Sequence, residues 1–244
     1  MALTEDQIKN LPVMPSDTQA VAGKDTLIYV ALKDSPLTWI CLGGQKNSPL
    51  SEKADSLDGS DKASGSWKKT LPAMKSWSID YDGLYVLNDV ALDIVRKQFR
   101  DGKPAYVRIE YPDGSYKQGW AYITAMSDSN ASDAIQTLKI TFEGYGEISD
   151  LITPAKAAIA SPTVSIAKGS QSADKTIAVT PADVTIRNLV DPLGTRLVFG
   201  TDYELAAGTL TLKKEYLTKL TASTVLTAKF ATGNIPITVT VTGA

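Results

Sequence analysis

Histidine is missing from the 244 residues, and cysteine occurs once, as Cys41. Without histidine, no Ser-His-Asp or Cys-His nucleophile system can be assembled. The usual zinc sites, which draw on several His or Cys ligands, are excluded as well. A single cysteine forms no intrachain disulfide, so the fold rests on packing alone. Cys41 sits in the apolar stretch Leu37–Leu42 and reads as a buried small hydrophobe. No run approaches ~20 apolar residues, so no membrane-spanning helix is expected. The first residues, Met1-Ala2-Leu3-Thr4-Glu5-Asp6, are acidic and lack the apolar core of a signal peptide, which points to synthesis in the cytoplasm. A strong charge of either sign is lacking too. The 25 basic and 27 acidic residues leave a net −2, split as −5 over residues 1–155 and +3 over 156–244. Neither part is basic enough for binding that works by neutralising DNA phosphates.

What is present is β-pattern. Residues 1–23 are polar with spaced prolines and read as an N-terminal arm. Thr26–Leu32, Leu37–Leu42 and Ser76–Tyr81 read as strands, and Lys33-Asp34-Ser35-Pro36 as the turn between the first two. Residues 43–75 are rich in Gly, Ser and Asp and predict a long loop that orders against another copy of the protein. One helix is predicted between Asn88 and Gly102, with Asn88 as N-cap, an apolar stripe of Ala91, Ile94, Val95 and Phe99, and Gly102 as its stop. Ala105–Tyr111 and Tyr116–Thr124 form a hairpin about the turn Pro112-Asp113-Gly114-Ser115, and Ile135–Phe142 is a further strand.

Residues 151–162, an Ala-rich stretch bracketed by Pro154 and Pro162, read as a linker. Beyond it come seven short strand candidates (163–167, 176–179, 184–189, 196–199, 209–212, 224–230 and 235–241) and a short helical candidate, Lys213–Leu220. Their spacing predicts an immunoglobulin-like sandwich over 163–244. The fold class is therefore mainly β. An antiparallel β-sandwich or barrel with one α-helix occupies residues 24–150, and a C-terminal immunoglobulin-like β-sandwich follows.

Carboxylates are the acid-base chemistry that remains. Asp80 and Asp82 stand at i, i+2 around Tyr81, a spacing commoner in turns and on surfaces than in a glycosidase pair. Asp55, Asp58 and Asp61 lack the spacing and terminal glutamate of a calcium loop. Gly43-Gly44-Gln45-Lys46 is no phosphate loop. The aromatics Trp67, Trp77, Tyr81, Tyr85, Tyr106, Tyr111, Tyr116, Trp120 and Tyr122 could form a sugar-stacking platform, although their period-2 placement favours core and cross-strand packing. No catalytic residue, cofactor or metal is expected.

Lys62, Ser64-Gly65, Trp67-Lys68, Leu71-Pro72, Lys75-Ser76-Trp77-Ser78 and Asp82-Gly83, in that order, resemble the tail tube (major tail) protein family of long-tailed bacteriophages. Ala73 stands where that family often has glycine. Gly119-x-Ala121 and Phe142-Glu143-Gly144-Tyr145-Gly146 also fit, so the resemblance spans about residues 20–150. In the second domain, Gly200-Thr201-Asp202-Tyr203 and Lys213-Lys214-Glu215-Tyr216-Leu217 resemble the immunoglobulin-like modules of bacterial cellulase scaffolds.

The resemblance implies a structural virion protein and no enzyme. Six copies would form a ring, rings would stack, and the inner strands would join into one barrel around the DNA ejection channel. Partners would be further copies of the chain, the tape measure and tail terminator proteins, and DNA that passes through without specific binding. The C-terminal domain would sit on the tube exterior, with weak contact to host-surface glycans as one role. The inner tube of a contractile tail is a close variant. Trp67, Leu71, Met74 and Trp77 are the expected subunit-interface residues. The alternative reading is a carbohydrate-binding surface module.

Overall fold

The computed structural model describes residues 23–34, 37–169 and 173–243. The expected N-terminal arm therefore lies outside the described residues, apart from Gly23 at the start of a 3-10 turn, Gly23–Asp25. The chain is mainly β, as its alternating segments predict.

Eight strands build the first sheet: β1 (Leu27–Asp34), β2 (Leu37–Cys41), β3 (Gln45–Asn47), β4 (Leu50–Asp58), β5 (Thr70–Leu84), β6 (Ala105–Glu110), β7 (Tyr116–Ser129) and β8 (Thr137–Gly144). Their order is β2-β1-β6-β7-β8-β5-β3, with β4 also paired to β5. Every pairing is antiparallel. Alternate residues point inward, because a strand presents its side chains to opposite faces in turn. Ile28 and Val30, Val107 and Ile109, Ile79 and Tyr81, and Ile140 and Phe142 meet in one core.

Helix α1 (Val90–Asp101) closes this core with Ala91, Leu92 and Val95. The N-cap is Asp89 and not Asn88. Asn88 takes a left-handed conformation (φ 59°), which asparagine tolerates better than most residues, and this turns the chain so that the next carboxylate meets the helix start. Asp89 Oδ1 accepts from the Ala91 amide at 2.9 Å, and Oδ2 accepts from the Gly43 amide at 2.8 Å. One side chain thus caps the helix and ties it to the β2–β3 connection. Asp89→Ala is expected to cost about 1–3 kcal/mol, the sum of a lost cap and an orphaned amide; a urea titration followed by far-UV circular dichroism measures it. The predicted stripe shifts as well. Leu92 is buried, whereas Phe99 is 45% exposed, because the final turn of α1 extends beyond the core.

The segment 43–75 is not a loop. Its polar composition hides β3, β4 and the first half of β5, in which charged side chains occupy strand positions exposed on both faces. Such strands give no alternation to detect, and the cross-strand ladder holds them instead.

The second domain has two four-stranded sheets. One runs β10 (Thr163–Ala167), β16 (Gly233–Thr242), β15 (Thr224–Phe230), β12 (Asn188–Val190); the other runs β13 (Tyr203–Ala206), β14 (Thr209–Leu212), β11 (Lys175–Thr180), β9 (Ala158–Ile159). Their inner faces share a second core that includes Leu189, Leu210, Leu226 and Ile237. A short helix, α2 (Lys214–Leu217), lies within the predicted helical stretch. Residues 196–199 form no strand, since the Asp202 carboxylate accepts from the Val198 amide at 2.8 Å and bends the chain into a turn. Residues 151–162 are tied down at both ends. Ile152 exchanges two backbone hydrogen bonds of 2.9 Å with Tyr116, and Ala157 is buried in the second core, with β9 following on the sheet. Of the alanines that suggest a linker, Ala157 alone is buried, and the stretch is pinned by it and by Ile152 while Ala155, Ala158 and Ala160 stay exposed.

Candidate assembly surface

The β4–β5 hairpin reaches beyond the core it starts from. Its root is built by the segment Lys75–Gly83. Trp77, Ile79 and Tyr81 alternate into the core, and the Tyr81 hydroxyl donates to the Gly43 carbonyl at 2.6 Å. Trp77 is only 4% exposed, and its Nε1 donates to the Gly146 carbonyl at 3.0 Å. A Cβ at Gly144 would lie 2.3 Å from that Nε1, and one at Gly119 would lie 2.8 Å from the indole carbons. Both glycines on the neighbouring strands are thus needed for the ring to lie against the backbone. Trp77 belongs to the subunit's own core, which corrects its expected place among the interface residues. The reason is periodicity: it shares the inward phase of Ile79 and Tyr81.

The distal half of the hairpin holds the other three. Trp67 is 86% exposed, Leu71 55% and Met74 79%. Leu57, which sequence reasoning missed, stands directly opposite Leu71 and is 59% exposed. The register shifts by one residue where Ala73 and Met74 face the single residue Asp55. That bulge brings Met74 to the face of Leu57 and Leu71 and leaves Trp77 on the other. The signal for Leu57 was its place in a strand, which the surrounding charges concealed.

The hairpin end is ordered by short polar links. Lys69 donates its amide to Ser60 Oγ at 2.8 Å, and the Ser64 hydroxyl donates to Asp61 Oδ1 at 2.7 Å. The Ser60 amide donates to Asp58 Oδ1 at 2.9 Å, and hydrogen bonds from Ser64 and from Ser60 hold the Asp61 and Asp58 carboxyls below their ordinary values. Lys68 lies 3.9 Å from Asp58 and Lys69 3.8 Å from Asp61, exposed pairs worth little in stability. Among the described residues, no group of three or more His, Cys, Asp or Glu could hold a metal. Asp80 accepts from the Thr141 hydroxyl at 2.9 Å, in the cross-strand role expected of a surface carboxylate.

Two further features complete the surface. Among the described residues, the outer edge of β4 and the side of β5 beyond Ser78 have no strand partner, since β8 pairs with β5 only from Ser78 to Leu84. Unpaired edges are templates for strand addition, and the charges of Glu52, Lys53 and Asp55 on β4 restrain indiscriminate pairing. A second exposed apolar group, Val86, Leu87, Val90 and Ile135, gathers where the Tyr85 amide donates to the Gln136 carbonyl at 3.0 Å. It lies on a surface different from the hairpin, at the start of α1.

A family model described as phage tail tube protein matches residues 20–150, and one described as carbohydrate binding domain X2 matches residues 159–241. No curated protein matches the chain. Among solved structures, the tail of an empty gene transfer agent particle is 24% identical, covering 53% of this chain and 98% of that one at a TM-score of 0.48. The SPP1 tail tube is 13% identical, covering 52% and 77% at a TM-score of 0.46. The endo-β-1,4-glucanase B of Bacillus halodurans is 24% identical, covering 36% of this chain and 18% of that one at a TM-score of 0.32.

Proposed function

The chain belongs to the phage tail tube protein family, and from that premise we propose that its copies close into hexameric rings which stack into a tube around the DNA ejection channel. It is a structural tail subunit. The observation that carries the finer reading is the hairpin, a projecting element whose Leu57, Trp67, Leu71 and Met74 are left mostly exposed in the subunit. Exposed apolar side chains grouped on a projecting element mark an interaction site.

A ring contact is heterologous, so it joins two different surfaces of one subunit. The hairpin supplies one. The group Val86, Leu87, Val90 and Ile135 supplies an apolar counterpart. Strand addition along β4 would satisfy its unpaired backbone groups at the same time. The net −5 of residues 1–155 suits a conduit that DNA slides through without being held. The tape measure and tail terminator proteins would be the further partners, and residues 159–241 would ride on the exterior.

Electron microscopy of the purified full chain over a range of concentrations, with and without added tail-initiation complexes, tests this. Rings or hollow tubes are expected. Uniform single subunits under every condition would overturn it.

The match of residues 159–241 to a carbohydrate binding domain favours a second role, contact with host-surface glycans. Among the described residues of that segment, however, no aromatic side chain is exposed; the exposed rings are Trp67, Phe99, Trp120, Tyr122 and Tyr145 of the first domain. Sugar stacking by the module would thus have only the half-buried Phe199 and Tyr216 to use, and any contact would rest mainly on polar groups and on multiplicity along the tube. Assembled tubes tested on a glycan array should bind weakly or not at all to isolated sugars.

A further inference from the structure

The buried charged side chains of this protein meet between its two domains. The residues of β1, β2, β6 and β7 that point away from the first core include Tyr29, Trp39, Arg108, Glu110 and Tyr116, and the second domain sits on that face. Arg108 is 2% exposed, the largest fully buried side chain among the described residues. Its Nη1 donates to the Asp183 carbonyl at 2.8 Å, while Nε and Nη2 donate to Gln118 Oε1 at 3.2 and 3.0 Å. The guanidinium lies 4.4 Å from the centre of the Trp39 ring and 3.8 Å from that of Tyr116.

Around it the links repeat. The Tyr116 hydroxyl donates to Asp183 Oδ2 at 2.6 Å. The Thr185 hydroxyl donates to Glu110 Oε2, and the Tyr29 hydroxyl to Glu110 Oε1 at 3.4 Å. Arg187 of the second domain lies 3.7 Å from both Glu110 and Asp25, and donates to the Asp25 carbonyl at 2.9 Å. The first domain also braces Arg108 from behind. Ala31, opposite Trp39 on β1, leaves room for the indole to lean onto Tyr106 at 5.2 Å, and Tyr106 stacks on Trp120 at 4.8 Å. A planar cation gripped by two rings and three acceptor contacts has one orientation available. Partly broken, the same buried network would leave charges without partners in a dry site, so intermediate separations are disfavoured.

We infer that the C-terminal domain is not a tethered passenger: this buried polar lock holds it in one orientation, and the two domains unfold as one unit. Each ring would therefore present the module as a fixed array. That last consequence rests on the tail-tube reading, while the lock itself is a property of the single subunit and is tested there.

The probes are native to the chain. All four tryptophans (Trp39, Trp67, Trp77 and Trp120) lie in the first domain, whereas far-UV circular dichroism reports both. Cys41 sits half-buried on the docked face, opposite Tyr29 on β1 and near Tyr203, and desolvation pushes its thiol up to about 12. In urea titrations of the full chain, the two optical signals are expected to coincide. Labelling of Cys41 by a thiol reagent in native buffer is expected to be far slower than that of a free thiol, because the docked domain covers most of it and its thiolate is scarce. Thr185→Val and, separately, Tyr116→Phe should each speed that labelling about tenfold while tryptophan fluorescence stays native. Separate transitions in the unaltered chain, rapid labelling of Cys41 in it, or unchanged labelling in both variants would each overturn the inference. None of these readouts depends on ring assembly.

Discussion

Trp77→Ala is expected to lower the stability of the subunit by about 3–5 kcal/mol, the range for removing a large aromatic side chain from a core. The site is poorly able to collapse. The indole lies between Gly119 and Gly144, which have no side chain with which to fill the space, and the strands that carry them are held in register by the β7–β8 and β6–β7 ladders. The Gly146 carbonyl also loses its donor. For a chain of this length, the loss corresponds to a fall in melting temperature on the order of 10 °C. Thermal unfolding of the unassembled subunit measures it. If Trp77 served assembly instead, the variant would melt normally and only tube formation would suffer. The experiment therefore separates the two places for this residue.

Leu71→Asp is expected to do the opposite. Leu71 is more than half exposed and contacts no part of either core, so unfolding of the isolated subunit should shift by no more than about 0.5 kcal/mol. Assembly should be lost. A carboxylate placed beside Leu57 and Met74 would be buried without a partner when a second copy covers the hairpin, which costs far more than the apolar contact it replaces. Electron microscopy and sedimentation of the variant under conditions where the unaltered chain forms tubes provide the test. Normal tubes from Leu71→Asp would remove the hairpin's apolar face from the assembly surface and leave strand addition at β4 as the remaining contact.

These two residues stand six positions apart in one strand and have opposite fates, and neither fate follows from local composition. Leu71, Met74 and Trp77 are all apolar in a segment of mixed polarity. The bulge at Ala73–Met74 changes the phase between them, and a one-residue slip moves a side chain to the other face. Composition also misled at 43–75, where a hairpin exposed on both faces carries the polar residues of a loop, and at 151–162, where a linker-like stretch is pinned by Ile152 and Ala157. The helix was legible because its signals are local: an acidic cap, an apolar face and Gly102 in the left-handed conformation at φ 62°. The cap moved by a single residue, since Asn88 and Asp89 are both good caps and the turn before them chose.

By itself, the amino-acid sequence determined the chemistry that is missing, the β character of both domains, the single main helix, and the motif from Lys62 to Gly83 that places the chain in its family. Each of these depends on residue identity or on spacing along the chain. Tertiary structure alone decided which apolar side chains are core and which are left exposed, and it brought Arg108, Glu110, Asp183, Thr185 and Arg187 together across up to 79 positions of sequence. Burial depends on what lies opposite a strand in space, and a buried charge is stable only where distant segments bring its partners to it.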